Sequence, residues 1–391
     1  MQRRTYAYID GNILENNIKE IKKKYPDYKY YIGVVKNNAY HHGMKCVLDM
    51  IRGGINYFAV SSLEEALALR KYTDYPVLIL EPISLEFVSD AINNNITLTV
   101  ESLEYTKELL KEDIYSELKV HLAVDSGMNR LGFQTRKELD EALKLLKEHK
   151  KIVVEGLFTH FATSGVMDPH WDNQVKKFLN ITKNIDFKEI PMVHLGRSLT
   201  LVNHPKLEYA NAVRLGIIMY GFSQSRKEGT SLRSKLQKLK RNHYQKKYEC
   251  SKTFLENDLK LNTAMSLYTE VISTRKVHTG DIVGYNAYPI KEDGYILTLP
   301  VGYADGVTKD YKEVAIESKR YKIVSDCMDM IMVYSETPIK VGTKVEIFGR
   351  TIPISSVTRR LGLNSYHLFN QISDRVVRVH RSNDIEEEIT Y

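Results

Sequence analysis

The chain has 391 residues, 43% hydrophobic and 27% charged, an ordinary globular composition that is too long for one small core. No apolar run approaches the roughly 18 residues of a membrane span, and "MQRRTYAYIDGN" lacks the apolar stretch expected of a signal peptide. The net charge of +7 would suit a polyanionic partner, but ten Lys or Arg against two Glu crowd between Arg226 and Lys252, which leaves the rest nearly neutral and excludes a generally basic surface.

The first part of the chain alternates between two patterns. The segments 30–35, 57–62, 76–80, 96–100, 119–124, 152–158, 191–196 and 211–221 are short, apolar and rich in Val, Ile, Leu and Tyr. Stretches of helical periodicity lie between them, as at 63–71, 101–112 and 136–151. Strands that are apolar throughout are buried on both faces, the habit of parallel sheets. Eight of them alternating with helices predict an α/β fold, a (β/α)8 TIM-type barrel over residues 1–225. An open doubly wound sheet would favour five or six strands, and no GxGxxG follows the first strand.

After Gly221 the pattern breaks. Residues 226–260 read as a basic interdomain insert, with Leu232, Leu236 and Leu239 at helical spacing. A surface helix or loop is the plain reading, and a helix docking on a membrane surface or a partner is the alternative. Residues 261–391 predict a mainly β C-terminal domain, with one last helix over "SSVTRRLGLNSYHLFNQI". The first strand, within 1–9, is expected to pack with this domain. Cys46, Cys250 and Cys327 are too few and too scattered for a disulfide framework and suggest a reducing cytoplasm.

The strand ends are chemically loaded. In "YYIGVVKNNAYHHG" an apolar run ends on Lys36, followed by Asn37, Asn38, Tyr40 and Gly43. A lysine after a strand is usually solvated. Here the fifth strand also ends with an arginine in a turn ("DSGMNRLGF"), the sixth with His160, and the seventh with His194 and Ser198. The eighth carries Arg214 before Gly216. Singly, Ser198 reads as a helix cap, His160 as a core residue and Arg214 as half an ion pair. Together they lie at the C-terminal rim, where barrels place their chemistry. Pyridoxal phosphate would use this set: a lysine for its aldehyde, donors for its phosphate and a group facing its ring nitrogen. An arginine there donates without giving up its proton, which leaves the ring a weaker electron sink.

At this point the chain resembles the alanine racemases, a fold-type-III pyridoxal-phosphate family, almost end to end. The resemblance runs through "AYIDGNILENNIKEI", "VVKNNAYHHG", "DSGMNRLGF", "FTHFATSG", "NAVRLGIIMYG", "VGYNAYP", "LPVGYADG", "CMDM" and "LGLNSYHL". It implies that Lys36 holds the cofactor and is one base, and that Tyr285, from the partner subunit of a homodimer, is the other. Arg214 would face the pyridine nitrogen with His160 and His194 behind it. Tyr40, Ser198, Gly216, Ile217 and Tyr366 would hold the phosphate. Arg130 and Met328 would receive the substrate carboxylate side, and Tyr303 and Asp329 would line the entrance. No metal, nucleic acid or membrane partner is implied.

Three features depart from the family pattern. A lysine, often carbamylated, commonly stands seven residues before the arginine of the "MNRLG" motif, and here that position is Ala123. Either an anion such as chloride fills the gap or Arg130 sits differently. Arg197 stands where an asparagine usually precedes the serine, and the basic insert is longer than the usual link. Serine racemases share the architecture, so serine is the alternative substrate to alanine. A non-catalytic pyridoxal-phosphate carrier would lack the β domain. A fold-type-III decarboxylase would use an acidic group at the ring nitrogen.

Overall fold

The computed structural model describes residues 4–163, 169–222, 231–247, 259–383 and 385–389. The first strand, β1 (Tyr6–Asp10), lies outside the barrel. Eight parallel strands then close on themselves: β2 (Tyr30–Val34), β3 (Tyr57–Val60), β4 (Val77–Ile79), β5 (Ile96–Val100), β6 (Leu118–Val124), β7 (Ile152–Thr159), β8 (Met192–Arg197) and β9 (Ala212–Leu215). Closure is between β2 and β9, in the register Tyr30 to Ala212 and Ile32 to Arg214. β3, β4, β5 and β9 are buried at every residue, which is why they read as unbroken apolar runs.

Side-chain caps turn strand ends into helix starts. Ser62, Ser102 and Thr135 each accept a backbone N–H three residues on, from Glu65, Tyr105 and Glu138. The eighth barrel strand stops earlier than its sequence suggests. It was expected over 211–221 but ends at Leu215, and the next residues form a buried turn in which Met219 N–H meets Gly216 O at 3.0 Å and Tyr220 N–H meets Ile217 O at 3.2 Å. The apolar run continues because that turn, too, is enclosed.

The C-terminal region is a mainly β domain. Its strands are β10 (Met265–Glu270), β11 (Ser273–Val277), β12 (Ile282–Val283), β13 (Tyr288–Pro289), β14 (Gly294–Leu299), β15 (Glu313–Ile316), β16 (Lys319–Asp326), β17 (Ile331–Ser335), β18 (Lys344–Phe348), β19 (Val377–Ser382) and β20 (Ile385–Ile389). The main sheet runs β11-β14-β17-β16-β15-β18-β10-β1-β19-β20, with β12 and β13 as a separate ribbon. β1 pairs antiparallel with β10 and parallel with β19.

The single final helix expected over 355–372 is in fact two, Ile354–Leu361 and Ser365–Gln371. Gly362 ends the first at φ 66°, and Asn364 caps the second by accepting His367 N–H at 2.9 Å. Of the 226–260 segment, only 231–247 and 259–260 are among the described residues. They contain a helix, Leu232–Lys247, with no buried residue. Cys250 lies outside the described residues; Cys46 and Cys327 are free thiols. No described helix is long and apolar enough to cross a membrane.

Candidate active site

Lys36 leaves β2 into an unusual turn. Asn37, Asn38, Ala39, Tyr40 and His41 all have φ between 50° and 61°, forming one turn of left-handed helix. Ala39 N–H donates to Val35 O at 2.8 Å and His41 N–H to Asn37 O at 2.9 Å. This hand costs about 1–2 kcal/mol per residue, so the surroundings must hold it. Glu65 accepts Asn37 N–H at 2.6 Å. Arg378, fully buried on β19, donates to His41 O at 3.1 Å and to the carbonyls of Ile372 (2.8 Å) and Ser373 (2.7 Å). The β domain thereby clamps the turn that carries the lysine.

Lys36 and Tyr40 open onto a cavity of about 680 Å³, shared with Arg130, His160, Ser198, Arg214, Gly216 and Tyr366. Ile217 is fully buried beside Gly216 and does not line it. Arg197 does line it, and its Nε donates to Phe161 O at 3.3 Å. Gly216 N–H donates to Ser198 Oγ at 3.0 Å. A Cβ on Gly216 would fall 3.1 Å from the Tyr40 hydroxyl and 3.7 Å from Ser198 Oγ, so glycine keeps a polar recess open between them. Burial pushes the Tyr40 phenol well above its ordinary value, so it stays a donor.

Arg214 is buried at the cavity wall. It donates to His194 Nδ1 and His194 O, both at 2.7 Å, and to Thr159 O at 2.6 Å. Because arginine only donates, His194 Nδ1 must accept, and its proton sits on Nε2. That nitrogen lies 2.8 Å from His121 Nδ1, which therefore accepts. His121 Nε2–H then donates to Glu155 at 3.0 Å. The Tyr57 hydroxyl meets the same carboxylate oxygen at 2.6 Å. Gly156 makes room for this chain, since a Cβ there would fall 2.4 Å from His121 Nδ1. The run from Arg214 to Glu155 thus has one consistent donor direction through the barrel core.

Electrostatics follow the burial. Burial pulls Arg214 down to about 9, with the Arg197 and Arg130 charges adding, and it remains charged near neutral pH. Burial holds His194 well below its ordinary value, and the Arg214 charge adds to this. His121 is also lowered by burial, against the pull of Glu155. His160 falls to about 2 through burial and then the charges of Arg214, Arg197, Arg130 and Lys36. Burial would raise Glu155, but hydrogen bonds from His121 and Tyr57 and the charge of Lys119 bring it below the ordinary carboxylate value. Sequence reasoning missed His121, Glu155 and Tyr57. Their one signal was a polar group inside a largely apolar strand.

Arg130 follows β6 in a turn organised by Asp125, whose carboxylate accepts Gly127 N–H at 2.9 Å and Asn129 N–H at 3.0 Å. Among the described residues Arg130 has no ion pair. A small space of about 30 Å³ adjoins it, lined by Ala123, Arg130 and His160 among others.

The other expected site residues lie on the β domain. Tyr285 sits at the tip of the β12–β13 ribbon, 88% exposed. The tip is anchored: Asn286 Nδ2 donates to Val324 O at 3.2 Å, and a Cβ on Gly284 (φ 68°) would strike Ser325. Tyr303 and Met328 lie on two turns joined by Ala304 N–H to Met328 O at 3.0 Å, and Asp329 pairs with Arg375 at 2.6 Å. None of Tyr285, Tyr303, Met328 and Asp329 lines the cavity of its own chain. Met328, expected with Arg130 at the substrate carboxylate side, therefore does not share the cavity with it within one chain. The two residues stand on separate domains.

Comparison with known proteins agrees with this architecture. The family described as alanine racemase, N-terminal domain, matches residues 9–224, and alanine racemase, C-terminal domain, matches 264–380. The alanine racemase of Streptococcus gordonii is 35% identical, spanning 98% of this chain and 99% of its own. An alanine racemase from Bacillus anthracis, solved with bound L-Ala-P, superposes with a TM-score of 0.83 at 32% identity, covering 100% of this chain and 98% of that one. A histidine racemase from Leuconostoc mesenteroides superposes with a TM-score of 0.82 at 26% identity, covering 97% and 98%.

Proposed function

The chain belongs to the alanine racemase family, and on that premise we propose that it interconverts L- and D-alanine with pyridoxal phosphate held at Lys36. The observation that carries this is the convergence on one cavity of an amine, a recess between two hydroxyls and a buried guanidinium. These fit the aldehyde, the phosphate and the ring nitrogen of the cofactor. When bound, that group would draw negative charge away from the α-carbon of an attached amino acid.

The chain's own residues limit and direct that chemistry. Three of Arg214's five donors are taken by the protein, which leaves donors for the ring nitrogen. Because Arg214 keeps its proton and only donates, it would leave the ring nitrogen unprotonated, and charge at the α-carbon would be only weakly stabilised. This favours simple proton exchange. Arg130 receives the substrate carboxylate. Lys36 Nζ takes or returns the proton on one face and Tyr285 Oη on the other, so neither base has to cross the plane. Lys36 serves the D-isomer and Tyr285 the L-isomer.

Tyr285 is exposed and does not line the cavity of its own chain, so in this reading a second chain of a homodimer supplies it, with Tyr303, Met328 and Asp329 at the mouth. The product would serve cell-wall peptidoglycan in the cytoplasm. A second reading, serine or broader specificity, is favoured by the space beside Ala123 and Arg130, which matches one hydroxyl or water. The test is an amino-acid panel with chiral product analysis. Alanine should be interconverted fastest. Turnover of serine above alanine would favour the second reading, and turnover of neither would overturn both.

A further inference from the structure

The helix Leu232–Lys247 stands apart from the chemistry above. Before the helix Phe222 packs edge-on against Phe369 at 5.4 Å, and after it Leu259 is partly buried. At 3.6 residues per turn, Leu232, Leu236, Leu239 and His243 fall on one line of the helix. The three leucines are 76%, 53% and 65% exposed. The partly covered side chains, Ser234, Arg241 and Gln245, fall on the opposite side. The helix therefore turns its apolar line outward, the reverse of a helix that packs on its own fold.

Its charge is equally one-sided. Residues 232–247 contain seven Lys or Arg and no Asp or Glu. Arg233, Lys240 and Lys247 flank the leucine line on one side, Lys235 and Lys246 on the other. A nucleic-acid groove would set cations at the centre of the face and leave three leucines against phosphates. A second copy of the helix would bring like charge to like charge. An anionic lipid surface accepts both parts: leucines at the acyl boundary, and long basic side chains reaching back to the headgroups.

We propose that this helix docks the protein on anionic lipid surfaces through Leu232, Leu236 and Leu239 and the cations beside them, the membrane-surface alternative that the leucine spacing offered. The inference is independent of the racemase reading. It is tested by vesicle flotation of the full chain, with phosphatidylcholine alone or mixed with roughly a third phosphatidylglycerol. Capture should require the anionic lipid and fall several-fold as salt rises from about 0.1 to 0.5 M. A variant combining Leu236→Ser and Leu239→Ser should lose about tenfold per leucine at unchanged charge. Its racemase activity and melting should match the parent, since both leucines are exposed.

Failure of the parent to bind, or equal capture by the serine variant, would overturn the proposal. So would tighter binding to a DNA duplex than to vesicles at the same salt. A changed oligomeric state in the serine variant would assign the face to a second copy instead.

Discussion

Arg214 and Tyr285 mark two regions that treat functional groups in opposite ways. At the barrel mouth Arg214 is enclosed, three of its donors are engaged, and a chain of histidines leads from it to Glu155. On the β domain Tyr285 projects into solvent from a ribbon whose neighbours are anchored. The first region is satisfied within one chain. The second is anchored yet lies off the cavity of its own chain, as the proposed sharing of sites between two chains requires. The left-handed turn joins the two, because Arg378 of the β domain grips the residues that follow Lys36.

The largest effect expected of this division comes from mixing defective chains. Lys36→Ala and Tyr285→Phe proteins should each be inactive as racemases. Denatured and refolded together, they should recover about a quarter of parental activity, because half of the dimers are mixed and each mixed dimer holds one intact site. No recovery would mean that both bases act within one chain. Tyr285→Phe should also break the symmetry of the reaction. Hydrogen exchange in deuterated water should fall about 10²–10⁴-fold from L-alanine while partly surviving from D-alanine, and equal losses would count against the assignment of faces.

Gly216→Ala probes the barrel half alone. The new methyl would enter the recess between Tyr40 and Ser198. Pyridoxal phosphate should bind about 10–100-fold more weakly while phosphate-free pyridoxal binds as before. An equal change for both would remove the recess from the phosphate.

The smallest effect is in stability against pH. His121, His160 and His194 are held below their ordinary values in the folded chain. Below about pH 6.5 the unfolded chain takes up protons that the folded chain refuses, so stability falls on acidification. Urea midpoints should drop from about pH 7 to pH 5, by up to about 1.4 kcal/mol per pH unit for each such proton. Glu155, lowered in the fold, adds a loss only below its unfolded value near 4.5. A flat profile down to pH 5 would mean the histidines are charged, and the donor direction deduced for them would be wrong.

Much of the barrel half was legible in the sequence. Parallel strands enclosed on both faces read as apolar runs, and a lysine ending one of them is conspicuous. The network behind Arg214 was not. His121, Glu155 and Tyr57 are scattered polar groups in largely apolar strands, and only closure of the barrel shows that they meet. The left-handed turn was half visible. Two asparagines tolerate positive φ, but Ala39 and Tyr40 do not favour it and are held there by Arg378, far along the chain. The break at Gly362 was written in "GLNS" and obscured by helical residues on both sides. That Met328 and Tyr285 lie off the cavity of their own chain depends on how the two domains face, which no local pattern carries.

The most direct test of the account is at Lys36. Purified protein given pyridoxal phosphate, reduced with borohydride and digested, should carry the added mass on the Lys36 peptide, and Lys36→Ala protein should stay colourless and unlabelled there. Label spread over surface lysines with none on Lys36, or no label at all, would contradict it.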